Sequence, residues 1–545
     1  MPCGIPNTTV RSSERNPFTK IKHYKDAIFE IYCPRLQQKA GYAAICPLVI
    51  FPFAARDRVL SLQTDFLDKR ALQNRKDWFP ACGREDLSDD GLGAMLPLLN
   101  RTNHPMTPAL ADDLRGWLVE PDFAGTQRKP LVLDKDQRTL AETRTSSGFR
   151  RIKGPAGSGK SLVLAARAAK LASEGKSVLI VTFNITLWHY LRDLIVRGAS
   201  RGGWMNRITF VHFHDWCKRN CQAPAFLNRY AEIMAPIHKI AYNDSIDDKE
   251  KKRQISSISG PILDDAIPRL AMQAALSNIE KYDAVLVDEG QDFLPLWWNA
   301  LRGIREQNGE MILVADATQD VYGKAGRWTD EAMSGAGFSG GWAQLKVGYR
   351  APSDAIRLAG DFANSFLPPE SRDLPETDQG SLELYESTVN WIQCDHDHAV
   401  KSCVNAILAM HRKTGRQGLA NADIVFLCDS IDHGRDVVEE LTTYDAFRMK
   451  VAHTYSHNKS EENRLKMAFW LGDARMKATT FHSFKGWETR LLVVYIANFR
   501  GPQSRAAIYA ALTRLKRSEH GSHLTVVCSA SELQEFGANY AMPVD

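Results

Sequence analysis

Residues 151–183 read RIKGPAGSGKSLVLAARAAKLASEGKSVLIVTF, and the fold of the chain turns on them. Gly154, Pro155, Ala156, Gly157, Ser158, Gly159, Lys160 and Ser161 satisfy the pattern G-x-x-x-x-G-K-[ST] at each fixed position. Glycines there let backbone N–H groups turn inward around a phosphate. The helix that follows aims its positive N-terminus at the same anion, and Lys160 reaches the terminal phosphates. Ser161 then ligates Mg²⁺. The flanks agree: a short strand ends at Ile152, an alanine-rich helix runs to about Glu174, Gly175 is a C-cap, and SVLIVTF is the next buried strand. These eight residues are expected to bind a nucleotide.

Further on, Tyr282 to Phe293 reads YDAVLVDEGQDF, a buried strand that ends in acids. In a phosphate-binding fold such acids hold Mg²⁺ and activate water, so Asp288 is expected to orient the metal and Glu289 to position the attacking water. A plain ATPase has no use for Gln291 and Asp292. Their presence points to something coupled to the nucleotide.

Composition narrows the class. A chain of 545 residues suggests about three or four compact units, and 44% hydrophobic content is ample for their cores. The net charge of +5 is a small difference between 69 basic and 64 acidic side chains, so any nucleic-acid affinity must come from local patches. The first residues, MPCGIPNTTVRSSERNPFTK, lack the apolar core of a signal peptide. The longest apolar run, AAICPLVIFPFAA from Ala43 to Ala55, is too short to span a bilayer. No membrane association is expected, and a cytoplasmic location is the default. The ten cysteines suggest ordinary buried thiols.

The order GPAGSGKS, VTFNITL, DEGQDF, VADATQDVYG, GYRAPSDAI, TTFHSFKGWE and AAIYAALTRLKR, covering about Asp134 to Val527, resembles the motif series of superfamily 1 helicases of the UvrD/Rep type. The resemblance implies ATP as nucleotide, with Gln137 hydrogen-bonding the adenine edge. It implies that Gln319 reads the γ-phosphate while Asp316 lies beside the metal site. Tyr349 would stack on the base, Arg350 and Arg514 would act as arginine fingers, and Glu488 would contact the ribose from the loop that includes Lys485 and Gly486. Paired guanidiniums make physical sense, because charge builds on the γ-phosphoryl oxygens during transfer. On the nucleic-acid side, Phe183, Phe213, Tyr322, Trp328 and His482 match the family's track for stacking bases, with Lys324 and Arg327 as phosphate contacts.

Buried runs VLIV, ITFV, AVLV and MILV, and later ADIVFLC, KATTF, LLVVY and HLTVV, alternate with helical stretches. The expected fold is α/β: two RecA-like parallel-sheet lobes with ATP in the cleft, plus a small N-terminal α/β domain. The expected boundaries are 1–130, then 131–342 with a helical insertion at about 218–279, then 343–545. The interval between GYRAP and TTFHSF is too short for the accessory insertion typical of the family, and Trp487 stands where relatives often have leucine. The missing insertion favours translocation over processive unwinding, while the stacking surface of Trp487 is open to either a functional or a packing role.

In the N-terminal region, Asn16 and Pro17 start a helix with Ile21, Tyr24, Ile28 and Ile31 on one face, and AAICPLVIFPFAA reads as a strand. The region resembles the back half of a nuclease-related domain, without the acids and lysine that hold Mg²⁺ in such nucleases; Glu14 alone does not replace them. Either a remnant without cleavage activity or a late start accounts for this. The donors His212, His214, Cys217 and Cys221 could suit zinc, but their spacing matches no familiar module and helix-packing cysteines are preferred, while Cys394, His396 and His398 in CDHDH read as a helix start rather than a metal site. The run DDKEKKR, Asp247 to Arg253, reads as an exposed helix face. The function so read is an ATP-dependent DNA helicase or translocase, 3′ to 5′, acting on single-stranded DNA in repair or defence. The alternatives are an ATP-gated subunit that switches a partner nuclease, or RNA as substrate.

Overall fold

The computed structural model describes residues 16–28, 45–69, 79–88, 117–199, 204–277, 280–316, 341–346, 351–369, 385–415, 418–443 and 449–541, with a few isolated positions between them. The chain divides into two compact units rather than three or four. One comprises Met1–Val119, Thr414–Arg416 and Glu439–Lys450; the other comprises Glu120–Lys413, Gln417–Val438 and Val451–Asp545.

In the first unit the helix Pro17–Ala27 is capped by Asn16, whose side chain accepts from the Phe18 and Thr19 N–H groups. Strands β1 (Val49–Ile50) and β2 (Ala81–Cys82) pair in parallel, and the helix Arg56–Asp68 lies between them in sequence. Phe18, Val59, Phe66, Leu67 and Phe79 form the core. Tyr24, expected on the buried face, is 57% exposed, because Phe18 rather than Tyr24 carries the helix onto the core. The expected strand at Ala43 to Ala55 contains only the two residues of β1, while Glu14 and Ile31 lie outside the described residues.

The second unit holds two six-stranded, wholly parallel sheets. The first contains β3 (Phe149–Lys153), β4 (Val178–Thr182), β5 (Ile208–His212), β6 (Tyr282–Val287), β7 (Arg305–Ala315) and β8 (Ala343–Gln344), in the order β5-β4-β6-β7-β3-β8. The second contains β9 (Ser387–Gln393), β10 (Ile424–Cys428), β11 (Val451–His453), β12 (Met476–Thr479), β13 (Leu491–Ile496) and β14 (Ser522–Cys528), in the order β11-β12-β10-β13-β14-β9. Every residue of β4, β10, β13 and β14 is buried, as strands covered by helices on both faces require. This is a RecA-like α/β architecture. The chain leaves β3 between β7 and β8 and returns as β4 beyond β6, so the loop after β3 opens at a switch in strand order, where such sheets bind ligands.

Between β5 and β6 run four helices, Phe213–Cys221, Pro224–Ala241, Asp248–Ser259 and Ile267–Leu276. Cys217 and Cys221 are fully buried in the first sheet's core with Leu270 and Ala271 on the last of these helices, and burial raises both thiols, Cys221 to about 11. Ahead of β3, the segment 120–134 touches both layers. The Asp122 carboxylate accepts from Lys516 at 2.6 Å, Phe123 meets Trp470 edge-on at 5.7 Å, and the Lys129 carbonyl accepts from Arg197 at 2.8 Å. Leu131 and Leu133 pack on the core around the helix Lys160–Ser173.

Candidate active site

The loop after β3 is shaped by glycine. Gly157 and Gly159 have φ of +73° and +88°, a left-handed backbone that side chains oppose. A Cβ on Gly154 would lie 2.5 Å from the Leu345 carbonyl. The helix Lys160–Ser173 starts directly behind and ends in a Schellman-type turn at Gly175, with Lys176 N–H donating to the Leu171 carbonyl. The Lys160 ammonium donates to the Gly154 and Pro155 carbonyls at 2.6 and 2.8 Å and lies 3.2 Å from Asp316. The buried Ser158 hydroxyl meets no partner among the described residues. A glycine cradle with an unpartnered hydroxyl inside it fits a phosphate.

Asp288, at the end of β6, accepts from the Ser161 hydroxyl at 3.0 Å and from the Glu289 N–H at 3.0 Å. Burial, together with the Glu289 charge, pushes Asp288 up to about 7. Hydroxyl and carboxylate converge as a divalent-cation site of this class requires. Glu289 is the single non-glycine residue with positive φ among those described, at +54°. Gly290 behind it has no room for a side chain, since a Cβ would fall 2.4 Å from Leu313. Strained backbone of this kind is held in place only by its surroundings.

Gln291 and Asp292 are part of those surroundings. The Gln291 amide donates to Glu289 at 2.5 Å and accepts from the Asp316 N–H at 2.9 Å, tying the end of β6 to the end of β7. Asp292 accepts from Lys485 at 2.8 and 2.9 Å, and Lys485 also lies 3.3 Å from Glu289. Lys485 comes from the loop after β12, so a side chain of the second sheet is buried among the acids of the first. Burial opposes its charge, but Asp292 and Glu289 outweigh that and raise it. Burial likewise opposes ionisation of Glu289, and Lys485, Lys160 and Arg514 together hold it below the usual range. Arg514 is buried and braced by the Ala510 carbonyl at 2.7 Å and the Thr513 hydroxyl at 2.9 Å.

Two loops dock beside this centre. The Asn184 amide donates to the His482 and Lys485 carbonyls at 3.1 and 3.3 Å, and the Thr186 hydroxyl donates to the Ser483 carbonyl at 2.6 Å. The Trp487 indole donates to Thr186 at 3.3 Å; its ring is fully buried, so its surface serves packing. Neither Asn184 nor Thr186 was expected, though both stand in the VTFNITL motif. Gly157, Gln137 and Glu488 line one cavity of about 520 Å³.

Two side chains are placed otherwise than expected. Gln137 accepts from the Asp134 N–H at 3.1 Å, closing a capping box, and donates to the Ser158 carbonyl at 3.1 Å. Its amide braces the phosphate loop, rather than presenting both ends to an adenine. Phe213, expected to stack on a base, is fully buried and stacks on Trp297 at 4.5 Å, because it opens a helix whose first turn faces the core. His482 is held by burial at about 4, and Lys485 and Lys466 add to this, so its ring is neutral and suits stacking rather than phosphate pairing. Phe183 is half-buried, stacked on Trp297 at 5.6 Å and 5.7 Å from the His212 ring. Gln319, Tyr322, Lys324, Arg327, Trp328, Tyr349 and Arg350 lie outside the described residues.

A protein-family model described as an AAA domain matches residues 137–325, which span the phosphate loop and the acids after β6. No curated protein matches the chain. With the two RecA-like sheets, this match supports a P-loop NTPase of the helicase type and implies nucleotide binding. Among the described residues no helix is long and apolar enough to cross a membrane.

Proposed function

We propose that this protein is an ATP-dependent translocase or helicase on single-stranded DNA, moving 3′ to 5′, with residues 131–342 and 343–545 as its two motor lobes and 1–130 as a region that resembles a nuclease-related domain. The observation that carries the reading is Lys485, which brings the second sheet into contact with both Asp292 and Glu289, the base of this reading. Anything that moves the second sheet therefore changes the charge around Glu289.

ATP binds with its phosphates in the Gly154–Ser161 loop, where Lys160 exchanges its carbonyl partners for phosphate oxygens. Ser161 and Asp288 would hold Mg²⁺, which when bound shields the phosphate charge. Glu289, kept ionised by its cationic neighbours, orients water and takes its proton. Arg514, and Arg350 by the family resemblance, stabilise charge on the γ-phosphoryl oxygens. Departure of phosphate removes the anion that holds the layers together, and the loops bearing Phe183 and His482 shift along the strand.

The test is ATP turnover with and without single-stranded DNA, using Glu289→Gln as control. The expected result is stimulation by DNA and a fall of at least about 100-fold in the variant. Turnover that ignores nucleic acid would sink the motor reading in favour of an ATP-gated partner of a nuclease, and a preference for RNA would move the substrate class.

A further inference from the structure

The DDKEKKR run does more than solvate a helix. From the helix Asp248–Ser259, Lys249 reaches Asp432 at 2.6 Å and Asp248 accepts from Asn458 at 3.2 Å, so the insertion of the first sheet is docked on elements of the second. Beside these contacts three lysines converge on one carboxylate. Glu462, on the helix Lys459–Ala468, lies 2.7 Å from Lys466, 3.2 Å from Lys459 and 3.5 Å from Lys252 of the insertion. Neighbouring cations are matched singly: Lys251 with Asp248, Arg253 with Glu250, Arg464 with Glu461. The trio is not, and carries two positive charges in excess.

The Glu462 side chain is 9% exposed and that of Lys466 19%, whereas those of Lys252 and Lys459 are 37% and 69% exposed, so the carboxylate is covered while two of the three lysines reach solvent. The cluster stands beside the loops that the proposed function assigns to the strand. Lys459 and Lys466 add to the burial that lowers His212 at the end of β5, and Lys466 does so for His482. Glu462, although burial resists its charge, is held at about 2 by the three lysines. A group with charge spread over several oxygens answers three point donors better than one carboxylate can. Lysines, unlike the planar fork of arginine, take a phosphate without reading sequence.

We infer that Lys252, Lys459 and Lys466 form a seat for one backbone phosphodiester of a single strand, and that Glu462 occupies it as an internal stand-in when no strand is bound. This rests on the nucleic-acid reading above. A strand entering the seat is clamped between the insertion and the second sheet, and displaces Glu462 from at least one lysine.

The experiment is fluorescence anisotropy of the full chain with labelled oligothymidylate across a salt series. Lys252→Gln combined with Lys459→Gln is expected to weaken binding and to reduce the magnitude of the log–log salt slope by about 0.7 to 1, and Lys459→Arg to restore it. Glu462→Gln is expected to tighten binding and steepen the slope. A purely structural clasp predicts the reverse, since losing Glu462 would loosen the insertion. Unchanged slopes in the lysine variants, or weaker binding by Glu462→Gln, overturn the seat while leaving the motor intact. Failure of the parent protein to bind any strand overturns the motor reading itself.

Discussion

Two of the lysine–carboxylate contacts that join the layers of this protein are built to opposite rules. At the nucleotide centre one lysine, Lys485, faces two acids, and all three side chains are at most 8% exposed. At the insertion three lysines face one acid, and two of the lysines stand in solvent. A sealed contact has no competing water or salt, so it responds mainly to changes in its own members; removing one leaves an uncompensated buried charge. An open, overcharged contact is screened by salt and is free to trade its anion for one from solution. The first is fitted to transmit a change between the layers, the second to capture a ligand.

The sharpest way to break this contrast is Lys485→Met, which strands Asp292 and Glu289. It is expected to cost about 3 to 5 kcal/mol, read as an earlier urea midpoint, and to lower ATP turnover. Arg167→Met is the matched control. Arg167 and Glu310 form a buried pair at 2.7 Å within the first layer alone, so a comparable loss of stability is expected, with turnover per folded molecule preserved. If both variants lose turnover equally, the cross-layer contact has no special role. Next in size is Thr186→Val, which removes a donor to Ser483 and an acceptor from Trp487; about 1 to 2 kcal/mol is expected in the same urea assay. Smallest is Lys249→Ala. Its partner Asp432 is 47% exposed, and no resolvable change in melting temperature is expected at physiological salt. A clear drop there would mean that the docking of the insertion depends on this one exposed pair rather than on the lysine cluster.

What the sequence disclosed, and what it hid, follows from the range of the interactions. The phosphate loop is legible because its backbone demands glycine at fixed places, and the buried strands are legible because helices on both faces favour runs of apolar side chains. β9 escaped notice: its sequence, STVNWIQ, has a single buried residue, as an edge strand permits. Gln291 and Asp292 could be recognised as surplus to an ATPase but not explained, because their meaning lies with Lys485 on the other sheet. Gln137 and Phe213 were misjudged for a shared reason. A motif identifies the residue type, and whether an amide or a ring turns toward a ligand or toward the protein depends on caps and core contacts that spacing does not encode. The lysines of the DDKEKKR run illustrate the same limit, since an alternating charge pattern looks identical whether it faces water or another layer.

The segment ahead of β3 adds a mechanical consequence. It is fastened to the second layer at Asp122 and to the first at Lys129, with part of the intervening stretch wound as the helix Asp122–Gln127. Seven residue steps reach about 25 Å when fully drawn out, whereas a helical stretch advances only about 1.5 Å per residue. The chain therefore carries a leash with stored slack. Small excursions of one layer from the other leave the helix wound, and larger ones must either unravel it or release the part-exposed Lys516–Asp122 pair that fastens it.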